Sequence, residues 1–358
     1  MASRVRKIWR DDRGGGRHDA CAEPRVLVIA EAGVNHNGDV NEALKLIDIA
    51  ARAGADVVKF QTFKAELLAS RAAPMADYQK GSVRGSNSQY EMLKQLELDP
   101  ETHRRLQAHC RSRNVEFMST PFDEGSVDLL VELGVPAIKV SSGDLTNRLL
   151  LEHIAAKAIP VILSTGMATN DEIECAVELL HAGGAADVAL MHCVSDYPAE
   201  ERDANLLAIP ALKERFGVPV GWSDHTRGDL TAIVAVGLGA TIVEKHITLD
   251  RLLPGPDHKA SMDPVGFARY VQNIRMACAS LGDGIKQPTP SERVMASIVR
   301  RSLAAARCIS AGETLTRDMV IAIRPGTGMP PGAIDQVLGK RAILDIASNT
   351  LLEMDMLA

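Results

Sequence analysis

From Arg25 onward the chain repeats one phrase: a short apolar run, a turn, then a longer segment with helical spacing. The apolar runs fall at 26–30, 57–60, 115–118, 137–140, 161–163, 188–191, 218–222 and 242–243. Helix-like stretches such as 41–53, 101–113, 126–133, 147–157, 171–181, 204–216, 230–238 and 264–281 lie between or after them. Runs that are apolar throughout are buried on both faces, and their alternation with helices makes parallel βαβ units. Glycine phrases close a helix and open the next strand at Gly54-Ala55-Asp56, Gly134-Val135-Pro136, Gly217-Val218-Pro219 and Gly239-Ala240-Thr241. Glycine serves there because it takes the left-handed conformation that stops a helix. Eight such units predict an α/β fold, a (β/α)8 TIM barrel, over residues 25–282. Aromatic residues are only 3% of the chain, so its core is aliphatic.

Outside the barrel the pattern changes. Residues 1–24, with Gly14-Gly15-Gly16 and many charges, read as a flexible tail. Residues 283–297, polar and containing Pro288 and Pro290, read as a linker. The last segment, 298–358, holds an internal repeat in which 308–320 resembles 345–357. Gly312 corresponds to Asn349, the two residue types that best tolerate positive φ, while Leu315 pairs with Leu352 and Asp318 with Asp355. A small pseudo-symmetric, loop-rich domain is expected, one that buries little core alone.

Charge and cysteine content exclude several functions. With 40 Lys and Arg against 46 Asp and Glu the net charge is −6, so no positive field draws nucleic acid or anionic lipid. The longest apolar stretch, 230–243, is too short for a membrane span, and the first residues lack the apolar core of a secretory signal. The 6 cysteines show no CxxC spacing, which fits reduced thiols in the cytoplasm.

Barrel enzymes place their chemistry at the C-terminal ends of the strands. Here those ends carry Glu31, Lys59 with Gln61, Ser119-Thr120, Lys139 with Ser141-Ser142, Ser164-Thr165, His192, Ser223-Asp224-His225 and Glu244-Lys245-His246. Solvated strand ends explain one or two of these, not the set. A bare ammonium after an apolar strand is costly without an anion, so Lys59 and Lys139, with Thr120, Ser142, Ser164 and Ser223, suit a phosphate and carboxylate site. A Schiff-base role for either lysine is the competing reading. His225 and His246 end neighbouring strands, where two imidazoles can ligate a divalent cation or serve in acid–base chemistry. Asp257, in the loop 253–261, is a third ligand or orienting group, whereas His258 and Lys259 can be solvated. In Asn35-His36-Asn37-Gly38 the Asn37-Gly38 pair reads as a turn, with Asp39 or Asn41 as a helix cap. Asp144 is either a cap or a catalytic carboxylate.

With these residues in hand the chain, from about Val26 to Ala358, resembles the sialic acid synthase family, in which a (β/α)8 barrel carries a C-terminal antifreeze-like (SAF) domain. The resemblance lies in Ile29-Ala-Glu-Ala-Gly-Val-Asn-His-Asn-Gly38, Val58-Lys-Phe-Gln-Thr62, Ser119-Thr-Pro-Phe122 and Ile138-Lys-Val-Ser-Ser-Gly-Asp144. It continues in Leu163-Ser-Thr-Gly-Met167, His192-Cys193 through Tyr197-Pro198, Gly221-Trp-Ser-Asp-His-Thr226, Val243-Glu-Lys-His246, Gly255-Pro-Asp257 and Arg324-Pro-Gly326. It implies that phosphoenolpyruvate condenses with the open-chain aldehyde of an N-acylated mannose-type sugar. The products are a nine-carbon 2-keto sugar acid and phosphate, with C–O rather than P–O cleavage. By this resemblance a divalent metal, Mn²⁺ with Mg²⁺, Co²⁺ or Zn²⁺ as alternatives, sits on His225 and His246. Lys59, Lys139, Thr120, Ser142, Ser164 and Ser223 bind the donor's phosphate and carboxylate, Ser195 lies near donor and sugar, and Gln61 is a further substrate-binding residue. Glu31 holds sugar hydroxyls or moves protons at the attacked carbon, Asp144 transfers a proton or positions water, and Tyr197 and Asp257 fix the sugar. A domain-swapped homodimer is implied too, with Arg324 of the partner's SAF domain contacting the N-acyl group.

The chain departs from the family at two places. Asp144 stands where many relatives carry Glu, and Ser195 where members using N-acetylmannosamine often have Asn. With Val194-Ser195-Asp196 and the segment 254–261 the chain leans toward bacterial relatives that accept a 2,4-diacetamido-6-deoxy sugar, so the product expected is N-acetylneuraminate or N,N'-diacetyllegionaminate. The rivals are a pseudaminic acid synthase or other phosphoenolpyruvate-dependent synthase or aldolase, and a non-catalytic carbohydrate- or ice-binding protein.

Overall fold

The computed structural model describes residues 3–13, 26–74 and 88–358. The apolar runs become eight strands: β1 (Leu27–Gly33), β2 (Val57–Thr62), β3 (Glu116–Pro121), β4 (Ile138–Val140), β5 (Val161–Ser164), β6 (Val188–Cys193), β7 (Val220–Asp224) and β8 (Ile242–His246). They pair in parallel in the order β3-β2-β1-β8-β7-β6-β5-β4, with β1 between β2 and β8. β3 lies against β4, which closes the ring into the expected barrel. Most strands run two or three residues beyond the apolar runs of the sequence, so most of the polar rim belongs to the sheet itself.

The helices are α1 (Arg4–Arg13), α2 (Val40–Ala53), α3 (Ala65–Leu68), α4 (Gln89–Leu96), α5 (Pro100–Ser112), α6 (Glu124–Glu132) and α7 (Arg148–Ala155). They continue with α8 (Asn170–Ala182), α9 (Ala208–Phe216), α10 (Leu230–Gly237), α11 (Pro264–Ser280) and α12 (Pro290–Val299). Side chains of Asp39, Asp99, Asp123 and Thr169 cap α2, α5, α6 and α8, accepting from orphan backbone N–H groups. No helix among the described residues is long and apolar enough to cross a membrane, and five cysteines there (110, 175, 193, 278 and 308) are free thiols. Cys21 lies outside the described residues.

Strand periodicity sorts the barrel into two faces. Val28, Ala30, Val58 and Phe60 point outward and pack with the helices. Leu27, Ile29, Val57, Met118, Ile162, Met191 and Ile242 belong to a separate inner cluster. Glu31, Lys59, Thr120, Lys139, Ser164, Ser223, Glu244 and His246 follow on the same inward register. The interior therefore has an apolar floor and a polar upper layer.

Residues 4–13 are not a flexible tail. They form α1, whose Val5, Ile8 and Trp9 complete the inner apolar cluster, and Trp9 Nε1 donates to Val188 O at 3.0 Å. The side chains of Ser3 and Arg4 join this anchorage: Ser3 Oγ donates to Glu116 Oε2 at 2.7 Å, and Arg4 lies 3.8 Å from Asp56. The apolar spacing 5-8-9 gives the helix its buried face. The Gly14-Gly15-Gly16 run lies outside the described residues.

Contacts divide the chain into units Met1–Asp283 and Gly284–Ala358. The second unit begins where a linker was expected, yet α12 occupies most of that stretch. Thr289 and Glu292 form a reciprocal capping box and Pro290 takes the first turn, where its missing N–H is no loss. β9 (Ser302–Ala305) and β10 (Val320–Ile323) then pair antiparallel. Gly312 and Asn349 have φ of 86° and 65°, and Leu315 and Leu352 are both buried in the unit's core, as the repeat predicts.

Trp9→Ala should leave circular dichroism unchanged but lower stability by about 3 kcal/mol, the usual loss for a truncated buried aromatic. Urea unfolding measures this, and an unshifted midpoint would remove α1 from the barrel's core.

Candidate active site

The polar upper layer is built around one buried ammonium. Lys59 Nζ lies 2.7 Å from Glu31 Oε2 and 3.6 Å from Glu244 Oε2, and donates to Thr120 Oγ1 at 2.9 Å. All three charged side chains are at most 5% exposed. Burial pushes the Glu31 carboxyl up, and the adjoining Glu244 charge adds to that against the pull of Lys59. Burial acts upward on Glu244 too, but Lys59, Lys139 and His246 outweigh it and hold Glu244 ionised. One carboxyl of the pair is thus ready to carry a proton while the other stays charged. Gln61 Nε2 reaches Glu31 Oε1 at 3.4 Å, and Ser223 Oγ donates to Glu244 Oε1 at 3.0 Å.

Lys139 is treated differently. Its ammonium donates to Ser164 Oγ and to Val140 O, and among the described residues no carboxylate lies within ion-pair distance. Burial lowers its pKa. Next to it Ser142 Oγ accepts from Gly166 N at 3.0 Å and lies 3.2 Å from Cys193 Sγ. Gly166 is tightly held: a Cβ there would sit 2.3 Å from Ser195 Oγ and 2.8 Å from Ser142 Oγ. Ser142 and Ser195 therefore gather around Gly166 beyond the ends of β4, β5 and β6, and Ser164 of β5 bonds the Lys139 ammonium, which among the described residues has no carboxylate partner within ion-pair distance.

Above β7 and β8, the rings of His225 and His246 lie 5.7 Å apart, with Tyr197 at 4.1 Å from the first and 5.7 Å from the second. His225 Nδ1 donates to Val194 O at 2.6 Å, a tautomer that leaves the Nε2 lone pair on the other side. His246 Nδ1 is buried without a hydrogen-bond partner, 4.0 Å from Asp257 Oδ2. Burial lowers both imidazoles, His246 to about 3, and raises Asp257 to about 6. Among the described residues no three His, Cys, Asp or Glu side chains cluster closely enough to cage an ion. Two neutral imidazoles with one orphaned nitrogen do fit an open site, in which substrate and water oxygens complete the shell of a divalent cation.

Two sequence-predicted residues are engaged elsewhere within their own units. Asp144 accepts from Ser141 Oγ at 2.6 Å and from Asn147 Nδ2 at 3.1 Å, so both of its oxygens are engaged in its own turn. Arg324 is in the second unit, exposed, with Nε donating to Val299 O at 3.0 Å. Glu244 is the residue the sequence reading left without a role. Its signal was there: on a strand, Glu244 and His246 share a face while Lys245 points to the other. Lys245 indeed pairs with Asp224 at 3.1 Å on the helix side of the sheet.

Residues 46–286 match the NeuB family, and residues 300–358 match the SAF domain. The chain is 45% identical over 330 residues to the N,N'-diacetyllegionaminic acid synthase of Legionella pneumophila, covering 91% of this chain and 93% of that one. It is 44% identical over 330 residues to the protein of the same name from Campylobacter jejuni, covering 92% and 99%. A solved structure, the N-acetylneuraminic acid (sialic acid) synthetase from Leptospira borgpetersenii serovar Hardjo-bovis, superposes with a TM-score of 0.66 at 38% identity, over 76% of this chain and 90% of that one.

Lys59→Met should raise both carboxyls, since each loses its nearest cation. A carboxyl whose folded pKa exceeds its unfolded value binds extra protons when folded, so its stability contribution disappears as pH rises. The variant should therefore lose stability between about pH 5 and pH 8 more steeply than the parent, by up to about 1.4 kcal/mol per pH unit for each group. Urea midpoints at three pH values measure the slope, and an unchanged slope would mean that Lys59 does not control the pair.

Proposed function

This chain belongs to the NeuB family and carries a SAF domain, and we propose that it condenses phosphoenolpyruvate with an N-acylated mannose-type sugar to a nonulosonic acid and phosphate. The observation that carries this reading is Lys139, a buried ammonium bonded to the Ser164 hydroxyl and the Val140 carbonyl, with no carboxylate within ion-pair distance among the described residues. Such a charge needs an anion, and the phosphate and carboxylate of the donor supply one. Ser142, Ser164 and Ser195 surround the phosphate, and Lys59, Thr120 and Ser223 lie toward the carboxylate.

A divalent cation, Mn²⁺ by family resemblance, would be held by His225 and His246 and would supply a Lewis acid for the acceptor's aldehyde oxygen. The donor's C3 forms the new bond to the aldehyde carbon. Water adds at C2, and phosphate leaves by cleavage of the C2–O bond. Glu31, with its raised pKa, gives or takes the proton at this centre, and Glu244 keeps Lys59 charged and in place. Asp144 orients water from its turn, while Tyr197 and Asp257 fix the sugar. No step needs an amine nucleophile, and Lys59 is committed to two carboxylates, which disfavours a Schiff base. The acceptor in this reading is the 2,4-diacetamido-6-deoxy sugar, as the names of the two bacterial relatives suggest.

The chain acts as a homodimer in this reading. Large apolar residues are exposed after six of the eight strands, all but β1 and β3: Leu67, Leu149, Met167, Leu207, Leu230 and Leu252 are each at least 63% exposed. A ring of this kind calls for a covering protein surface. The partner's SAF domain provides it and brings Arg324 to the sugar's N-acyl group. Free cysteines and the phosphorylated substrate accord with a cytoplasmic enzyme.

Phosphate release from phosphoenolpyruvate with Mn²⁺ tests the reading, with N-acetylmannosamine and 2,4-diacetamido-2,4,6-trideoxymannose side by side. A strong preference for the second is expected; preference for the first makes the enzyme a neuraminate synthase, and no release with either overturns the substrate class. His225→Ala and His246→Ala should each abolish turnover with the fold intact, and retained metal-dependent turnover in both would overturn the metal assignment. Arg324→Ala should raise the acceptor KM more than the donor KM. In a mixed dimer purified with one Arg324→Ala and one His246→Ala subunit the acceptor KM should return to the parent's, because that dimer has one complete site, and a KM still raised would argue against the swap.

A further inference from the structure

The Asn35-His36-Asn37-Gly38 motif after β1 takes no part in the chemistry above, and its two Asn side chains bond the segment that follows β8. Asn35 is buried, and its Nδ2 donates to Ile247 O and to Ser261 Oγ, each at 2.8 Å. Ser261 Oγ in turn donates to Asp257 O at 2.7 Å. His258, which the sequence allows to be solvated, is fully buried. Its Nδ1 lies 2.7 Å from Thr248 Oγ1 and its Nε2 lies 3.3 Å from Asn37 Oδ1. The packing there is close. Gly255 has a φ of 145°, and a Cβ on it would sit 2.5 Å from His258 Cδ2 and 2.6 Å from Asn37 Oδ1.

The segment between the Ile247–Met262 bridge has neither helix nor strand. Its outer residues Arg251 and Leu252 are exposed, and Leu249 and Met262 pack against the barrel core only at its two ends. Backbone bonds such as Ser261 N to Asp257 O close short turns within the loop, and buried side-chain bonds tie those turns to the barrel. Both anchors flank Asp257: one bond reaches its own carbonyl through Ser261, and the other holds its neighbour His258. We propose that Asn35 and Asn37, acting through Ser261 and His258, are positioning residues that latch this loop and set the Asp257 carboxylate at the acceptor sugar. The functional half of this proposal rests on the reading of Asp257 as an acceptor group.

The test uses the full-length enzyme with Ser261→Ala, a near-isosteric change, together with Asn35→Ala, the double variant and His258→Gln. Amide hydrogen exchange over 250–260 should quicken in each while the barrel strands stay protected. The acceptor KM should rise about tenfold, the loss of roughly one buried hydrogen bond, with kcat and the donor KM little changed. The double variant should be no worse than the poorer single one, because the two residues share one chain of bonds. In an Asp257→Asn background, Asn35→Ala should add no further change in acceptor KM. Unchanged loop exchange in both Asn35→Ala and His258→Gln would overturn the latch. A rise in acceptor KM that persists undiminished in the Asp257→Asn background, or equal rises in both KM values, would overturn its action through Asp257. Absence of phosphate release by the parent enzyme would instead count against the proposed reaction, and loop exchange would still decide the latch.

Discussion

The buried ammonium of Lys59 between Glu31 and Glu244 is the constraint around which the rest of the barrel mouth is arranged. Taking three charges out of water is expensive, and an apolar trio of the same volume would fold at least as well. What the triad provides is electrical definition. One cation facing two carboxylates can neutralise only one of them, so burial loads the excess onto Glu31, whose affinity for a proton rises. Sequence reading treats Lys59 and Lys139 as equals in an anion site. Their surroundings separate them: Lys59 is balanced by the chain's own acids, and Lys139 has hydroxyl partners and a charge left over. In the proposed reaction the first lysine tunes a proton carrier and the second binds the donor's anionic groups.

That electrical definition depends on a dry floor. Coulomb interactions strengthen as the effective dielectric falls, and a wet barrel would screen the triad. The layer of Leu27, Ile29, Val57, Met118, Ile162, Met191 and Ile242 supplies the low dielectric from below, and Val5, Ile8 and Trp9 of α1 close it from the N-terminal side. A helix on the face opposite the chemistry therefore bears on the chemistry, through solvent exclusion rather than contact. α1 also explains a mismatch of scale in the sequence. With 3% aromatics the chain has few large side chains, and it places one of its two tryptophans under the barrel.

The barrel was legible because its signal is a repeated period: eight buried strands, each announced by an apolar run and most followed by a helix whose cap residue is Asp or Thr. The inner site was legible for the same reason, since strand ends project inward at known places. What escaped were features whose signal is local and competes with a bland reading. Thr289-Pro-Ser-Glu292 looks like a proline-broken linker until the Thr and Glu are seen as a capping box, with Pro in the one turn of a helix that accepts it. Arg4–Arg13 looks like a tail because its apolar stripe is only three residues wide. Glu244 was hidden beside Lys245 and His246, three polar residues in a row of which only alternate ones face the site. His258 could not be placed at all from its neighbours, because the groups that bury it, Thr248 and Asn37, come from different parts of the chain.

This division between strand and loop carries a consequence for specificity. Most of the groups assigned to the donor, Lys59, Thr120, Lys139, Ser164 and Ser223, stand on strands whose backbones are fixed by neighbours on both sides, and Ser142 and Ser195 follow two residues beyond the ends of β4 and β6. Those assigned to the acceptor, Tyr197 and Asp257, stand on loops, and loops are where a scaffold tolerates change. A barrel built this way can keep its phosphoenolpyruvate chemistry constant while the sugar it accepts is altered by moving a loop by an ångström or two. The choice between a 2,4-diacetamido sugar and N-acetylmannosamine then depends less on which residue is Asp257 than on where its carboxylate is held. In the proposed reaction the control of specificity would then sit in the buried bonds behind the loop, at Asn35, Ser261 and His258, rather than in the residues that would touch the sugar.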